Sequence, residues 1–281
     1  MVKVIGVGDN VVDKYTHINT MYPGGNALNF SVYAKELGID SAYLGIFGSD
    51  EAAKHIQHVL AELKIETSHC RTIEGENGFA LVGLENGDRV FLGSNEGGVR
   101  KQNRLEFAAN DLAYLKQFDL LHTSKYSYME KELEKLKALN IPISFDFSDD
   151  FTEEYLEQVG PYVDYSILSC SHLEEEETKI IARKMAVLGS SIVITTRGSD
   201  GAIIFDGQSF FYQKPQLVEA VDTLGAGDSF LTAFLLEYIQ KQRGCKKEEK
   251  EVLIKAALLK ATEFAAKTCL VEGAFGFGKS Y

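Results

Sequence analysis

Apolar, β-rich runs alternate with segments of helical spacing along most of this chain, and that rhythm restricts the fold more than any other feature. Residues 2–7 form one such run, bounded by Gly8. Residues 26–37 follow with Ala27, Phe30, Ala34 and Leu37 on one helical face and Gly38 as a stop. Residues 41–47 are a second buried run, residues 51–63 a second helix, and Ile65 opens the next extended segment. Strands without polar alternation are buried on both faces, and a strand–helix–strand order pairs strands in parallel. The expectation is an α/β fold, with a mostly parallel central sheet and helices on both faces. A length of 281 residues suits one large domain of this kind with a small appendage.

The rhythm breaks once. Residues 78–84 and 89–92 flank Glu85-Asn86-Gly87-Asp88, and Asn-Gly between apolar runs predicts a tight hairpin. Residues 11–18, rich in Val, Tyr and Thr, could pair with it. The result is either an edge hairpin of the main sheet or a separate β lid over a site. Alternation then resumes, with helices over 105–118 and 129–139, one opening at Leu173, and one over 250–268. Strands are predicted over 120–122, 143–147, 166–169 and 192–196, and a hairpin from 202–205 and 210–213. No repeat or Pro-rich linker divides the chain, so residues 1–281 read as one domain, and residues 246–251 as a solvated charged stretch.

A formal charge of −12 argues against nucleic acid and anionic membrane surfaces as partners. No apolar run approaches the roughly 18 residues that span a bilayer, and the N-terminal residues read as a strand instead of a signal peptide. A cytoplasmic location is expected. Cys70, Cys170, Cys245 and Cys269 are scattered, which suits reduced thiols and no zinc site. His55 and His58 read as surface residues on a helix, with no metal role.

The run Ala-Val-Asp-Thr-Leu-Gly-Ala-Gly-Asp-Ser-Phe-Leu at 220–231 carries the chemistry. Asp222-Thr223 closes an apolar stretch, and Gly225, Ala226 and Gly227 make a turn of small residues. Phe230, Leu231, Phe234, Leu235 and Tyr238 then predict a helix from about Gly227. Free backbone N–H groups at such a helix start favour a phosphate, or negative charge developing on one. Asp228, in the first turn, can accept a proton from a hydroxyl attacking a γ-phosphoryl group. A single Gly-Asp before a helix would more often serve the helix dipole. The full Asp-Thr-x-Gly-Ala-Gly-Asp run is more specific and favours the chemical role.

Pro23-Gly24-Gly25-Asn26-Ala27-Leu28-Asn29 also precedes a helix, where glycines permit close approach to a ligand and Asn29 can hydrogen-bond hydroxyls. Gly8-Asp9-Asn10-Val11-Val12-Asp13 follows the first strand, at the carboxyl edge where parallel sheets collect ligands. Asp9 and Asn10 there are either polar contacts or turn formers, while the two oxygens of Asp13 suit a polyol. Asp146, at a strand end, is a candidate for orienting phosphates.

These two runs resemble the C-terminal and N-terminal signatures of the ribokinase/phosphofructokinase-B family of sugar kinases, and the matches span residues 6 to about 274. The resemblance implies a ribokinase-like fold whose β lid comes from segments of about 11–20 and 78–98. It implies Asp228 as catalytic base and Gly225, Ala226 and Gly227 as anion hole. Asp13, Gly24, Gly25 and Asn29 would bind sugar, beside Asp9 and Asn10. Thr196-Arg197-Gly198-Ser199-Asp200-Gly201 resembles the family's nucleotide turn, so Thr196, Gly198 and Gly201 would join Thr223, Gly225, Gly227 and Gly273 around ATP. Ser171-His172-Leu173-Glu174 stands where the family has N-x-x-E, with Ser171 replacing Asn, and implies an indirect link of Glu174 to Mg²⁺. A monovalent cation such as K⁺ near Asp222 and a homodimer through the lid are further family expectations.

The combination Gly-Asp-Asn-x-x-Asp-x-Tyr, Gly-Gly-Asn-Ala-Leu-Asn and Phe-Asp-Phe-Ser-Asp is similar to the fructoselysine 6-kinase branch, which implies a glycated amino acid as substrate. Kinases for ribose, fructose, 2-keto-3-deoxygluconate or a nucleoside, and a non-catalytic sugar- or nucleotide-binding regulator, are the alternatives. A dinucleotide-dependent dehydrogenase is disfavoured, because no G-x-G-x-x-G follows the first strand.

Overall fold

The computed structural model describes residues 2–85, 88–242 and 249–281. Along it run β1 (Lys3–Gly8), β2 (Val11–Tyr15), β3 (Thr20–Gly24), α1 (Asn26–Glu36), β4 (Asp40–Phe47), α2 (Glu51–Glu62), β5 (Arg71–Thr72), β6 (Gly78–Glu85) and β7 (Asp88–Ser94). Next come α3 (Val99–Gln102), α4 (Ala109–Leu115), β8 (Leu120–Ser124), α5 (Leu133–Lys137), β9 (Ile143–Asp146), α6 (Glu153–Val159), β10 (Tyr165–Ser169) and α7 (Glu175–Leu188). The last are β11 (Ile192–Thr196), β12 (Ala202–Phe205), β13 (Phe210–Gln213), α8 (Ala226–Gln242), α9 (Lys250–Thr268) and β14 (Lys279–Ser280).

Nine strands make the main sheet in the order β13-β12-β11-β10-β9-β8-β1-β4-β5, parallel from β11 to β5 and antiparallel at β12 and β13. The continuous apolar runs follow from burial on both faces. Val4, Leu120, Ile167 and Ile194 pack against Phe30, Phe234 and Ile254 of α1, α8 and α9. Their neighbours Ile5, Leu121, Leu168 and Val193 face the other way, against Leu136, Leu156 and Met185 of α5, α6 and α7.

A second sheet, ordered β14-β3-β2-β6-β7, brings segments 11–15 and 78–94 together through a parallel β2–β6 pairing. It is separate from the main sheet. Strand β2 is shorter than the run 11–18, which turns after Tyr15 and returns as β3. The Asn86-Gly87 turn lies outside the described residues, as do Cys245 and residues 246–248 of the charged stretch. Two predicted helices are shorter than their sequence windows: only Ala109–Leu115 and Leu133–Lys137 are α-helical. Met129, expected to open the second, is instead fully buried in a turn ahead of it. His55, read as a surface residue, is buried and lies 2.7 Å from the Phe277 carbonyl.

Candidate active site

The carboxyl ends of β1, β8 and β9 meet the N-termini of α1 and α8, and four polar side chains there lock together. Asp228, in the first turn of α8, is half-buried. Asn29 Nδ2 donates to its Oδ2 at 2.6 Å, and Asn26 Nδ2 donates to its Oδ1 at 2.8 Å. Asn26 Nδ2 also donates to Asp146 Oδ2 at 2.8 Å, so a single amide group bridges two carboxylates. Burial, then repulsion from Asp146, raises the Asp228 pKa to about 7 against the opposing hydrogen bonds of Asn29 and Asn26. Burial likewise raises Asp146 to about 6, although the Ser148 N–H and Asn26 favour its ionised form. A carboxylate poised near neutrality, with lone pairs to spare, can take a proton from a hydroxyl at physiological pH.

Asp9, buried after β1, accepts at Oδ1 from the Ala27 N–H at 3.2 Å and from the Ser124 and Ser127 hydroxyls at 2.9 and 2.8 Å. It organises the turn as much as it offers a ligand contact. Asn10 donates from Nδ2 to the Tyr43 hydroxyl and the Ile46 carbonyl, both at 2.9 Å. The Oδ1 atoms of Asn10 and Asn29 are buried and accept from no protein donor. Two orphaned acceptors flanking one turn suit the hydroxyl groups of a polyol.

The glycines there have steric causes. Gly25 has φ +112°, and a Cβ on it would stand 2.8 Å from Asn10 Cα. A Cβ on Gly24 would stand 2.3 Å from Asp13 Oδ2, so the bare Cα leaves room for that buried carboxylate.

On the far side of the Gly225–Gly227 turn lies a cleft of about 600 Å³. Thr196, Gly198, Gly201, Thr223, Ala226 and Gly227 line it, with Ser171 and Phe230. Gly225 has φ +75° and packs against the Tyr33 hydroxyl and Ala274, whereas a Cβ on Gly227 would meet nothing within 4 Å. The Ala226 N–H turns back to the Thr223 carbonyl at 3.2 Å. The next N–H groups, of Gly227 and Asp228, open a 17-residue helix before the Ser229 N–H returns to the Gly225 carbonyl at 2.8 Å. Open space over an α-helix start, beside a carboxylate, fits a phosphoryl group.

Not every expected residue joins this site. Gly273 does not line the cleft; its N–H donates to Asp222 Oδ2 at 2.9 Å, and its Cα packs on Tyr22. Glu174 stands exposed at the N-cap of α7, its N–H held by Glu177, and is not part of the cleft lining. Among the described residues no three acidic, His or Cys side chains converge on a metal position.

Sequence reasoning did not identify Asn26, His122 or Arg100. His122 Nε2 lies 2.8 Å from Asn26 Oδ1, across 96 residues. Arg100 is buried, donates from Nη2 to the Tyr126 carbonyl, and leaves Nε and Nη1 unpartnered. Thr262, Ala265, Ala266 and Cys269 of the α9 end also line the cleft, though their helical spacing reads as core. The one available signal was Asn26 itself, which sits between two residues already singled out.

Comparison with known proteins places the chain in a family. The family described as pfkB family carbohydrate kinase matches residues 1–276. A fructosamine kinase from Bacillus subtilis is 46% identical over 99% of this chain and 95% of its own length. A fructoselysine 6-kinase from Escherichia coli is 30% identical, covering 96% of this chain and 98% of that protein. The structure of Arabidopsis thaliana ribokinase complexed with ribose and ATP superposes with a TM-score of 0.77 at 18% identity, over 98% of this chain and 95% of that one.

Proposed function

Since the chain belongs to the pfkB family of carbohydrate kinases, we propose that it transfers the γ-phosphoryl group of ATP to O6 of a fructosyl amine such as fructoselysine. The carrying observation is the Asp228 carboxylate, held at both oxygens between the helix start and the Asn29 side of the turn. In this reading Asp228 takes the proton of the sugar O6–H as O6 bonds to the γ-phosphorus. The bond from that phosphorus to the bridging oxygen breaks, and ADP leaves. Within the Gly225-Ala226-Gly227 segment, the Gly227 N–H offsets the charge on the transferring group, the Ala226 N–H being turned to the Thr223 carbonyl.

Asp9, Asn10, Asp13, Gly24, Gly25 and Asn29 surround the sugar, the orphaned Oδ1 atoms of Asn10 and Asn29 accepting its hydroxyls. Thr196, Gly198, Gly201, Thr223, Gly225 and Gly227 border the nucleotide, and Gly273 supports the loop from behind. Mg²⁺ bound with ATP would supply charge screening on the phosphates. The exposed Glu174 then acts on it only through water. A monovalent cation such as K⁺ near the Asp222 loop, tested by exchanging K⁺ for Na⁺, completes the site.

The second sheet serves as the lid, formed by segments of about 11–20 and 78–98, and excludes water that would otherwise consume ATP. The exposed Ile18, Leu84, Phe91 and Leu92 on it support a homodimer through that sheet. A cytoplasmic location, where ATP is available, agrees with this reading, and no helix among the described residues is long and apolar enough to cross a membrane.

Two similar relatives act, by their names, on fructosamines and fructoselysine, and this supports the substrate class. Phosphorus and carbon NMR of the product formed from fructoselysine tests the position of transfer. A phosphate ester on C6 is expected, and an ester on any other carbon contradicts the reading.

A further inference from the structure

His122 is fully buried in β8 and stacks on Phe30, the ring centroids 4.5 Å apart. Its Nδ1 lies 2.6 Å from Ser144 Oγ, on the β9 residue directly opposite in the parallel pairing, and its Nε2 lies 2.8 Å from Asn26 Oδ1. Burial lowers its pKa to about 3, so the ring is neutral at working pH and has one donor and one acceptor nitrogen.

With Asp146 and Asp228 ionised, only one arrangement of protons satisfies every group in this chain of hydrogen bonds. If Nε2 accepted, Asn26 would have to turn its NH₂ toward the ring and its Oδ1 toward two carboxylates. With Nε2–H donating to Asn26 Oδ1 and the Ser144 hydroxyl donating to Nδ1, both N–H bonds of Asn26 are directed at Asp146 and Asp228. Each bond in such a line polarises the next.

We propose that His122 is a positioning residue for Asp228, locking the Asn26 amide so that it holds Asp228 and Asp146 at a fixed separation and in fixed rotamers. The proposal rests on the reading of Asp228 as the base. The charged groups facing Asp228 are the carboxylates of Asp146 and Asp9, and Asp149 faces Asp146 in turn. Against these carboxylates, the hydrogen bonds of the Asn29 and Asn26 amides favour the ionised base. A freely turning Asn26 would forfeit half of that support and let the carboxylates move.

The test is kcat against pH for the wild type, His122→Leu and His122→Gln, with thermal melts to verify folding. A hydrogen bond to a charged group is worth about 1.5–3 kcal/mol, and one pKa unit about 1.4 kcal/mol. His122→Leu should therefore move the acid limb of kcat up by about one pH unit and lower kcat near pH 6.5 by about tenfold, at unchanged KM for ATP. His122→Gln, whose amide can donate to Asn26 Oδ1, should restore most of the limb.

A folded His122→Leu with the wild-type limb, or a His122→Gln as impaired as His122→Leu, overturns the proposal. Nitrogen NMR of the wild-type histidines decides without any variant. A neutral Nε2–H ring at His122 supports the lock, and an Nδ1–H ring overturns it. Turnover retained in Asp228→Asn would overturn the base reading and this proposal with it. Turnover lost there, beside an unchanged limb in His122→Leu, overturns the proposal alone.

Discussion

The hydroxyl of Tyr15 donates to Asp222 Oδ2 at 2.5 Å, across 207 residues of chain. Tyr15 ends β2 of the second sheet, and Asp222 begins the loop that leads into α8. The same carboxylate accepts from the Leu224 N–H at 2.7 Å and from the Gly273 N–H at 2.9 Å. A buried side chain thus ties the sheet proposed as lid to the turn proposed as anion hole. Tyr15→Phe removes one of those donors from a buried carboxylate, which costs about 1–3 kcal/mol. Urea unfolding should show a loss of that size, and an unchanged midpoint would remove Tyr15 from the list of stabilising contacts.

The two glycines of the turn should respond to alanine in opposite ways. Gly225→Ala places a Cβ 2.2 Å from the Tyr33 hydroxyl at φ +75°. Strain of that kind costs about 1–3 kcal/mol and should lower Tm. Gly227→Ala meets no protein atom, so Tm should hold or rise slightly. Its methyl group instead fills the space proposed for the phosphoryl group, and kcat/KM for ATP should fall by roughly tenfold or more. Melting and steady-state kinetics on both variants check this; a fully active Gly227→Ala would take that space out of the reaction.

Asp228 also links stability to pH. Its pKa in the folded protein is about 7, above the ordinary 3.8 for an aspartate, so the fold favours the protonated form. That contribution is full below the unfolded value and is lost as pH rises from about 4 through 7. Asp228→Asn keeps a neutral side chain at every pH. It should raise Tm at about pH 8 and change it little at about pH 4. Thermal melts across that range check the sign, and a variant less stable at high pH would contradict a raised pKa.

The main sheet was legible because burial on both faces leaves unbroken apolar runs. Strands 192–196, 202–205 and 210–213 and helix 250–268 have the predicted limits. Strand β3 was not legible, since Pro23 and two glycines read as a turn. Its outer partner β14 pairs only with Thr20 and Met21, so Pro23 need not donate on that edge. Helix α6 escaped because its seven residues hold only two buried apolar side chains, Leu156 and Val159.

Within the site, the motifs pointed to Asp228 and Asn29, which the fold brings within hydrogen-bonding distance. His122 was invisible, because a lone His in an apolar strand reads as core and its partners Asn26 and Ser144 are distant or unremarkable in sequence. Long-range pairing, and not residue type, makes that part of the site.

Phosphorylation of fructosyl amines with Asp228 as base, as proposed, is open to an ADP-release assay. Wild-type protein and Asp228→Asn would be assayed with Mg-ATP against fructoselysine, other fructosyl amino acids, fructose, ribose and a nucleoside. The account predicts the highest kcat/KM on the fructosyl amines and a loss of about 10²–10⁴-fold in kcat for Asp228→Asn, the usual contribution of a positioned base. Preference for a plain sugar, or undiminished turnover by Asp228→Asn, would contradict it.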